Sequence, residues 1–142
     1  MITFQTLQKY SFFGGLTEEQ IGTILPLMEL ESHQPDTDII VEGNPNDKIH
    51  FLIFGDVAVI KEGVVLTNLK TGETFGEMEV LDVMPSAATI RTISDVTVMS
   101  ISNKAFREIY KLDIKAFSLM IMNLARDLSR RIRKMNEKAI EK

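Results

Sequence analysis

Glu77 and Glu79 are two carboxylates close together, and they follow directly on a glycine, Gly76. A carboxylate pair is the minimum for acid–base work. A carboxylate beside a glycine turn can equally accept hydrogen bonds from a diol, while the backbone N–H groups of the turn form a nest for an anion. Nine residues further on, Pro85-Ser86-Ala87-Ala88 combines a rigid residue, a hydroxyl and two small side chains. Small residues there let a ligand approach the backbone closely. An arginine at position 86 would supply a bidentate clamp for a phosphate, but Ser86 offers a single neutral hydroxyl. Other chemistry is not written in this chain. There is no cysteine, and the two histidines, His33 and His50, are too few to build a metal site. No Ser/His/Asp set and no Walker-type loop is present.

These residues need elements to hold them. The chain has 142 residues, 44% hydrophobic and 25% charged, enough for one domain with a sizeable core. Thr17-Glu18-Glu19-Gln20 reads as a capping box, and Ile21, Ile24, Leu25 and Met28 follow at helical spacing. Before it, Leu7, Tyr10, Phe12 and Phe13 form an apolar cluster closed by Gly14-Gly15. Helical character is expected over about 1–34. Short β-rich runs with turn punctuation then occupy about 38–101: Ile39–Glu42, Ile49–Phe54, Val57–Lys61, Val64–Leu69, Thr89–Ser94 and Val96–Ile101. Their spacing predicts a small antiparallel β-barrel or jelly roll, so the fold class is α+β, mainly β. Helices return over about 102–138, with Ser102 as a cap and a long helix from about Asp113. His33 and His50 carry no partner pattern and are expected in a loop or on a strand surface.

In the long helix, Phe117, Ile121, Leu124, Leu128 and Met135 keep the 4-3-4 spacing of an apolar seam, interrupted by Arg131. The seam has two readings, packing back on the body or pairing with a second subunit. Ile121, Leu124, Leu128 and Met135 are the candidate homodimer residues. Charge is uneven: residues 1–125 hold 9 basic and 17 acidic side chains (−8), and residues 126–142 hold 7 and 3 (+4), giving the net −4. A basic helix end suits nucleic acid or anionic lipid, or simply a solvated face whose cations favour the dipole. The second reading is preferred because no aromatic residue interleaves for stacking. No apolar run approaches a membrane span, and the N-terminus lacks a signal-peptide pattern, so a cytoplasmic protein is expected.

The stretch from Phe75 to Arg91 resembles the phosphate-binding cassette of the cyclic-nucleotide-binding domain family. Phe12-Phe13-x-Gly15-Leu16, Val41-Glu42-Gly43-Asn44-Pro45-Asn46-Asp47 and the Phe51–Val59 hairpin are similar to further family motifs, in the family's order. The resemblance covers about Phe12 to Met135 and implies one such domain across 1–142, a sensory domain like that of the bacterial catabolite activator. It implies a ligand site at Gly76, Glu77, Met78, Ser86, Ala87 and Ala88, with cyclic AMP or cyclic GMP as ligand, and no other cofactor. In the family an arginine stands where this chain has Ser86, so binding is expected to be weak or absent. Glu79, where the family has a small residue, is expected to add a carboxylate near the anion. Arg91 is expected on the opposite strand face, which leaves Arg126 or Arg130 as candidate substitutes. The resemblance implies a stand-alone regulatory module rather than an enzyme, acting on an effector it does not name. The alternatives are a ligand-free interaction domain and a sensor of a different small molecule. The chain ends at Lys142, short of a helix-turn-helix, so direct DNA binding is not expected.

Overall fold

The computed structural model describes residues 2–141. Two compact units arise, one of residues 2–24 with 108–141 and one of residues 25–107.

The second unit is the β part. Its strands are β1 (Glu29–His33), β2 (Asp38–Ile40), β3 (Lys48–Phe54), β4 (Val57–Lys61), β5 (Val64–Leu69), β6 (Thr74–Phe75), β7 (Thr89–Thr92) and β8 (Val96–Ser102). They form two four-stranded antiparallel sheets, β1-β8-β3-β6 and β2-β7-β4-β5, in the manner of a jelly roll. Ile40, Leu52, Val57, Phe75, Ile90, Val96 and Val98 come together as a buried cluster, with Ile39, Val59 and Leu69 packed against it. Burial of such β-branched and aromatic side chains stabilises the sheets more than their intrinsic strand preference does. The β3–β4 turn uses Gly55 at φ +99, where a Cβ would lie 2.3 Å from the Asp95 carbonyl oxygen, so no other residue fits.

Two strands depart from the expected pattern. Helical structure ends with the 3₁₀ turn Leu25–Leu27, and residues 29–33 are strand β1 rather than part of the helical region expected to about residue 34. Glu29-Leu30-Glu31-Ser32-His33 is polar because β1 is an edge strand, pairing only with β8. The two-residue β6 is too short to leave a pattern. His50 is the second correction. It is 4% exposed in β3, where Ile49, His50, Phe51 and Leu52 are all buried.

The first unit is helical: α1 (Phe4–Gln8), a 3₁₀ turn at Ser11–Phe13, α2 (Glu18–Ile24) and α5 (Ile114–Ile140). The capping box is reciprocal. Thr17 N–H donates to Gln20 Oε1 at 2.9 Å, and Gln20 N–H donates to Thr17 Oγ1 at 3.1 Å. Leu7, Tyr10, Phe12 and Phe13 are buried, the two phenylalanines meeting edge to face. Asn123 of α5 donates to the carbonyls of Phe12 (3.1 Å) and Gly14 (2.9 Å), which ties the long helix to the 3₁₀ turn. Ser11 donates to Asp127 in the same region. Asp113 caps α5 through the Ala116 N–H, as Ser102 caps α4 (Asn103–Leu112) through the Ala105 N–H.

The seam of α5 therefore divides. Leu124, one of the expected dimer residues, is 3% exposed. Leu128 is half-buried. Ile121 lies at the margin, while Ile132, Met135 and Ile140 are exposed. Among the described residues, no helix is long and apolar enough to cross a membrane.

Candidate functional site

Gly76 and Glu77 mark the join of β6 to a short helix, α3 (Glu77–Asp82). Gly76 is its N-cap at φ 84, ψ 4, and Val83 is its C-cap at φ 59. A left-handed residue at each end turns the chain into and out of α3. At Gly76 the glycine is required twice over. Its φ is left-handed, and a Cβ would lie 2.8 Å from the Lys48 carbonyl oxygen and 3.2 Å from His50 Nδ1. Glu77 is 3% exposed at the start of α3, and Met78 is exposed.

The loop between β2 and β3 fastens both ends of this segment. Asn46 Nδ2 donates to the carbonyls of Gly76 and Lys48, each at 3.0 Å. At the other end, Gly43 N–H donates to the Ser86 carbonyl and Ser86 N–H donates to the Asn44 carbonyl, each at 2.9 Å. Ser86 is 3% exposed, and its Oγ has no hydrogen-bond partner. A buried hydroxyl left without a partner is costly and needs a reason. Ala87 is exposed and Ala88 half-buried.

Arg91 points away from this place. Its Nε donates to Asp38 Oδ1 at 2.7 Å on the exposed side of the β2–β7 pair, and this pairing, first its hydrogen bond and then its charge, raises the guanidinium pKa further. Alternation along β7 agrees, with Ile90 and Thr92 buried and Arg91 exposed. Arg130 is engaged on its own helix, donating to Asp127 Oδ1 at 2.8 Å. A cation that does reach the segment is Lys61 of β4, whose Nζ donates to the Ala87 carbonyl at 2.8 Å and lies 3.8 Å from Glu42 Oε2. Sequence reasoning missed it because the contact depends on the β4–β7 register, which sets Ile60 opposite Thr89.

Glu79 follows on α3. Two residues apart on a helix, Glu77 and Glu79 diverge to different faces. Glu79 lines a cleft of about 230 Å³ together with Asn46, Asp47, Met84 and Pro85. Gly76, Glu77 and Ser86–Ala88 do not line that cleft. Burial raises the Glu79 carboxyl above its ordinary value, and a hydrogen bond with Asn46 opposes the rise. Behind the segment, His50 stacks on Phe75 with ring centroids 4.8 Å apart. Burial lowers its pKa to about 4. Among the described residues, no group of three His, Asp or Glu side chains could hold a metal ion.

The profile of the cyclic nucleotide-binding domain matches residues 30–113, more than half of the chain and all of the segment just described. The protein belongs to the cyclic nucleotide-binding domain family. A curated relative, the cAMP-dependent protein kinase regulatory subunit of Hypocrea atroviridis, is 29% identical over 103 residues, covering 72% of this chain and 22% of the relative. The chain thus spans under a quarter of that relative's length. Among solved structures, a cyclic nucleotide-binding domain from Methylobacillus flagellatus superposes with a TM-score of 0.85 at 22% identity, over 96% of this chain and 79% of that one. The Thermus thermophilus catabolite activator protein gives 0.79 at 22% identity, over 91% and 61%. At these identities the superpositions speak for the fold. The family is one of regulatory ligand-binding domains rather than catalytic ones.

Proposed function

We propose that this domain is a regulatory module of the cyclic-nucleotide-binding type that binds a cyclic nucleotide weakly. The supporting observation is Ser86. It stands where the family's phosphate-binding arginine is expected, is held by its backbone at both N–H and C=O, and has a free hydroxyl. Arg91, the nearest arginine in sequence, is committed to Asp38. Enclosing a phosphate without the bidentate clamp of a guanidinium is less favourable. Gly76 and Glu77 keep the turn and the carboxylate that a ribose diol would need. The name of the curated relative supports cyclic AMP as the first ligand to try.

Calorimetry with cyclic AMP and cyclic GMP tests the reading. The parent should bind one of them weakly, and Ser86→Arg should tighten binding by roughly ten- to a hundredfold, the worth of one hydrogen bond to a charged group. A folded Ser86→Arg protein that binds no better than the parent sinks it. The second reading is a ligand-free interaction domain. It is favoured by Met78, Leu81, Val83 and Met84, large apolar side chains exposed around α3. Failure of both cyclic nucleotides at millimolar concentration moves that reading to first place.

A further inference from the structure

Lys61 occupies a position that the loss of the arginine makes significant. The register of β4 with β7 pairs Val57 with Thr92 and Val59 with Ile90. Val57 and Ile90 belong to the buried cluster, and Val59 packs against it. Side chains alternate along a strand, so Lys61, two residues beyond Val59, lies on that same inward face. It carries the row past the end of the apolar cluster to the level of Ala87 and Ala88. There its Nζ holds the Ala87 carbonyl at 2.8 Å. An ammonium has three donors, and this bond uses one. Glu42, at 3.8 Å, is a counter-charge but beyond hydrogen-bond reach. The Lys61 side chain is 47% exposed.

Ser86 supplies the second, independent observation. Its Oγ is buried and has no partner, although both of its backbone groups are satisfied. A lysine with donors to spare and an unpaired hydroxyl therefore meet at one tripeptide, Ser86-Ala87-Ala88. Both can donate to an oxyanion. Ser86 Oγ has no other partner, and Lys61 keeps donors beyond the one held by the Ala87 carbonyl.

We infer that Lys61, together with the Ser86 hydroxyl, is the anion-recognition pair of this domain and replaces the absent arginine from a neighbouring strand. The inference rests on the reading of the domain as a cyclic-nucleotide-type site and names the group that meets the ligand's phosphate. A single ammonium matches the single charge of a phosphodiester. It does so as a point charge without the bidentate geometry of a guanidinium, which is consistent with weak binding. Glu42 tempers it, because the ligand must compete with that carboxylate for the ammonium.

Four proteins decide it: the parent, Lys61→Gln, Lys61→Arg and Glu42→Gln. Each is titrated with cyclic AMP and with adenosine, which lacks the phosphate, and followed by amide chemical shifts at Ala87 and Ala88. The expected result is about a ten- to hundredfold loss of cyclic AMP affinity in Lys61→Gln, with adenosine unaffected. Lys61→Arg should retain affinity, and Glu42→Gln should tighten it. Equal cyclic AMP affinity in the parent and Lys61→Gln overturns the inference and leaves the functional reading standing. If the parent binds neither cyclic AMP nor cyclic GMP, the functional reading fails instead, and inorganic pyrophosphate at low salt becomes the probe. Shifts at Ala87 and Ala88 that disappear in Lys61→Gln uphold the anion site, and no shift in the parent overturns it. Melting curves confirm that each variant is folded.

Discussion

Acid should weaken this domain through one side chain, His50. The imidazole is 4% exposed and stacked on Phe75, and burial holds its pKa near 4 against an ordinary 6.5. An unfolded chain would take up a proton there near pH 6.5, whereas the folded chain refuses it until about pH 4. The unfolded state therefore binds more protons between these values, and stability falls as the pH drops through this window. A difference of 2.5 units at 1.36 kcal/mol each sets a ceiling of about 3 kcal/mol, a large part of an ordinary domain's stability. Glu79 works in the opposite sense. Its folded pKa is raised, so it binds a proton more readily in the folded state and gains stability as the pH falls toward 4.5. A single pH profile mixes the two, and a comparison of variants separates them. Urea unfolding at several pH values between 7 and 4 should give a steeper loss for the parent than for His50→Gln, with the gap widening below pH 6.5. Parallel profiles for the two proteins would refute the reasoning.

Three further outcomes are expected. Gly76→Ala must place a Cβ against the Lys48 carbonyl in a left-handed backbone, and should cost roughly 2–4 kcal/mol by thermal melting, where an unchanged Tm would deny the tight approach. Val83 is a β-branched residue at φ 59, so Val83→Asn should raise stability by about 1 kcal/mol, and a drop would mean that its exposed side chain has an unseen role. The exposed end of α5 is expected to pair with a second copy. Sedimentation should show twice 16.1 kDa, Ile132→Glu with Met135→Glu should return the monomer, and a clean monomer for the parent would dismiss the pairing.

What the amino-acid pattern revealed was local. The Thr17–Gln20 box, the Ser102 cap and the Gly55 turn each depend on residues within a few positions, and each is found as read. Features requiring two distant segments to meet were not legible. Strand β1 is an edge strand of polar residues, and its partner β8 lies some sixty residues away in sequence. His50 escaped because four consecutive β3 residues are buried, which erases the alternation that would mark an inward side chain. Around the candidate site the same division holds. The turn at Gly76 and the outward Arg91 followed from spacing, but Lys61 comes to Ala87 only through sheet register, and Glu79 turns to Asn46 only because α3 is a helix.

The loop at residues 43–46 grips the cassette at two points, Gly76 through Asn46 and Ser86 through Gly43 and Asn44. Between those grips lie α3 and the loop that follows it. A helix of six residues has no stability of its own in water, so α3 takes its shape from the two anchors and from what it packs against. Lengthening or rewriting residues 78–84 would move this segment without disturbing either sheet. Changing Asn46 would release its leading end while the strands stayed paired. Substitutions confined to residues 78–84 should therefore change this segment while leaving the pairing of the sheets intact, because its fastening lies outside them.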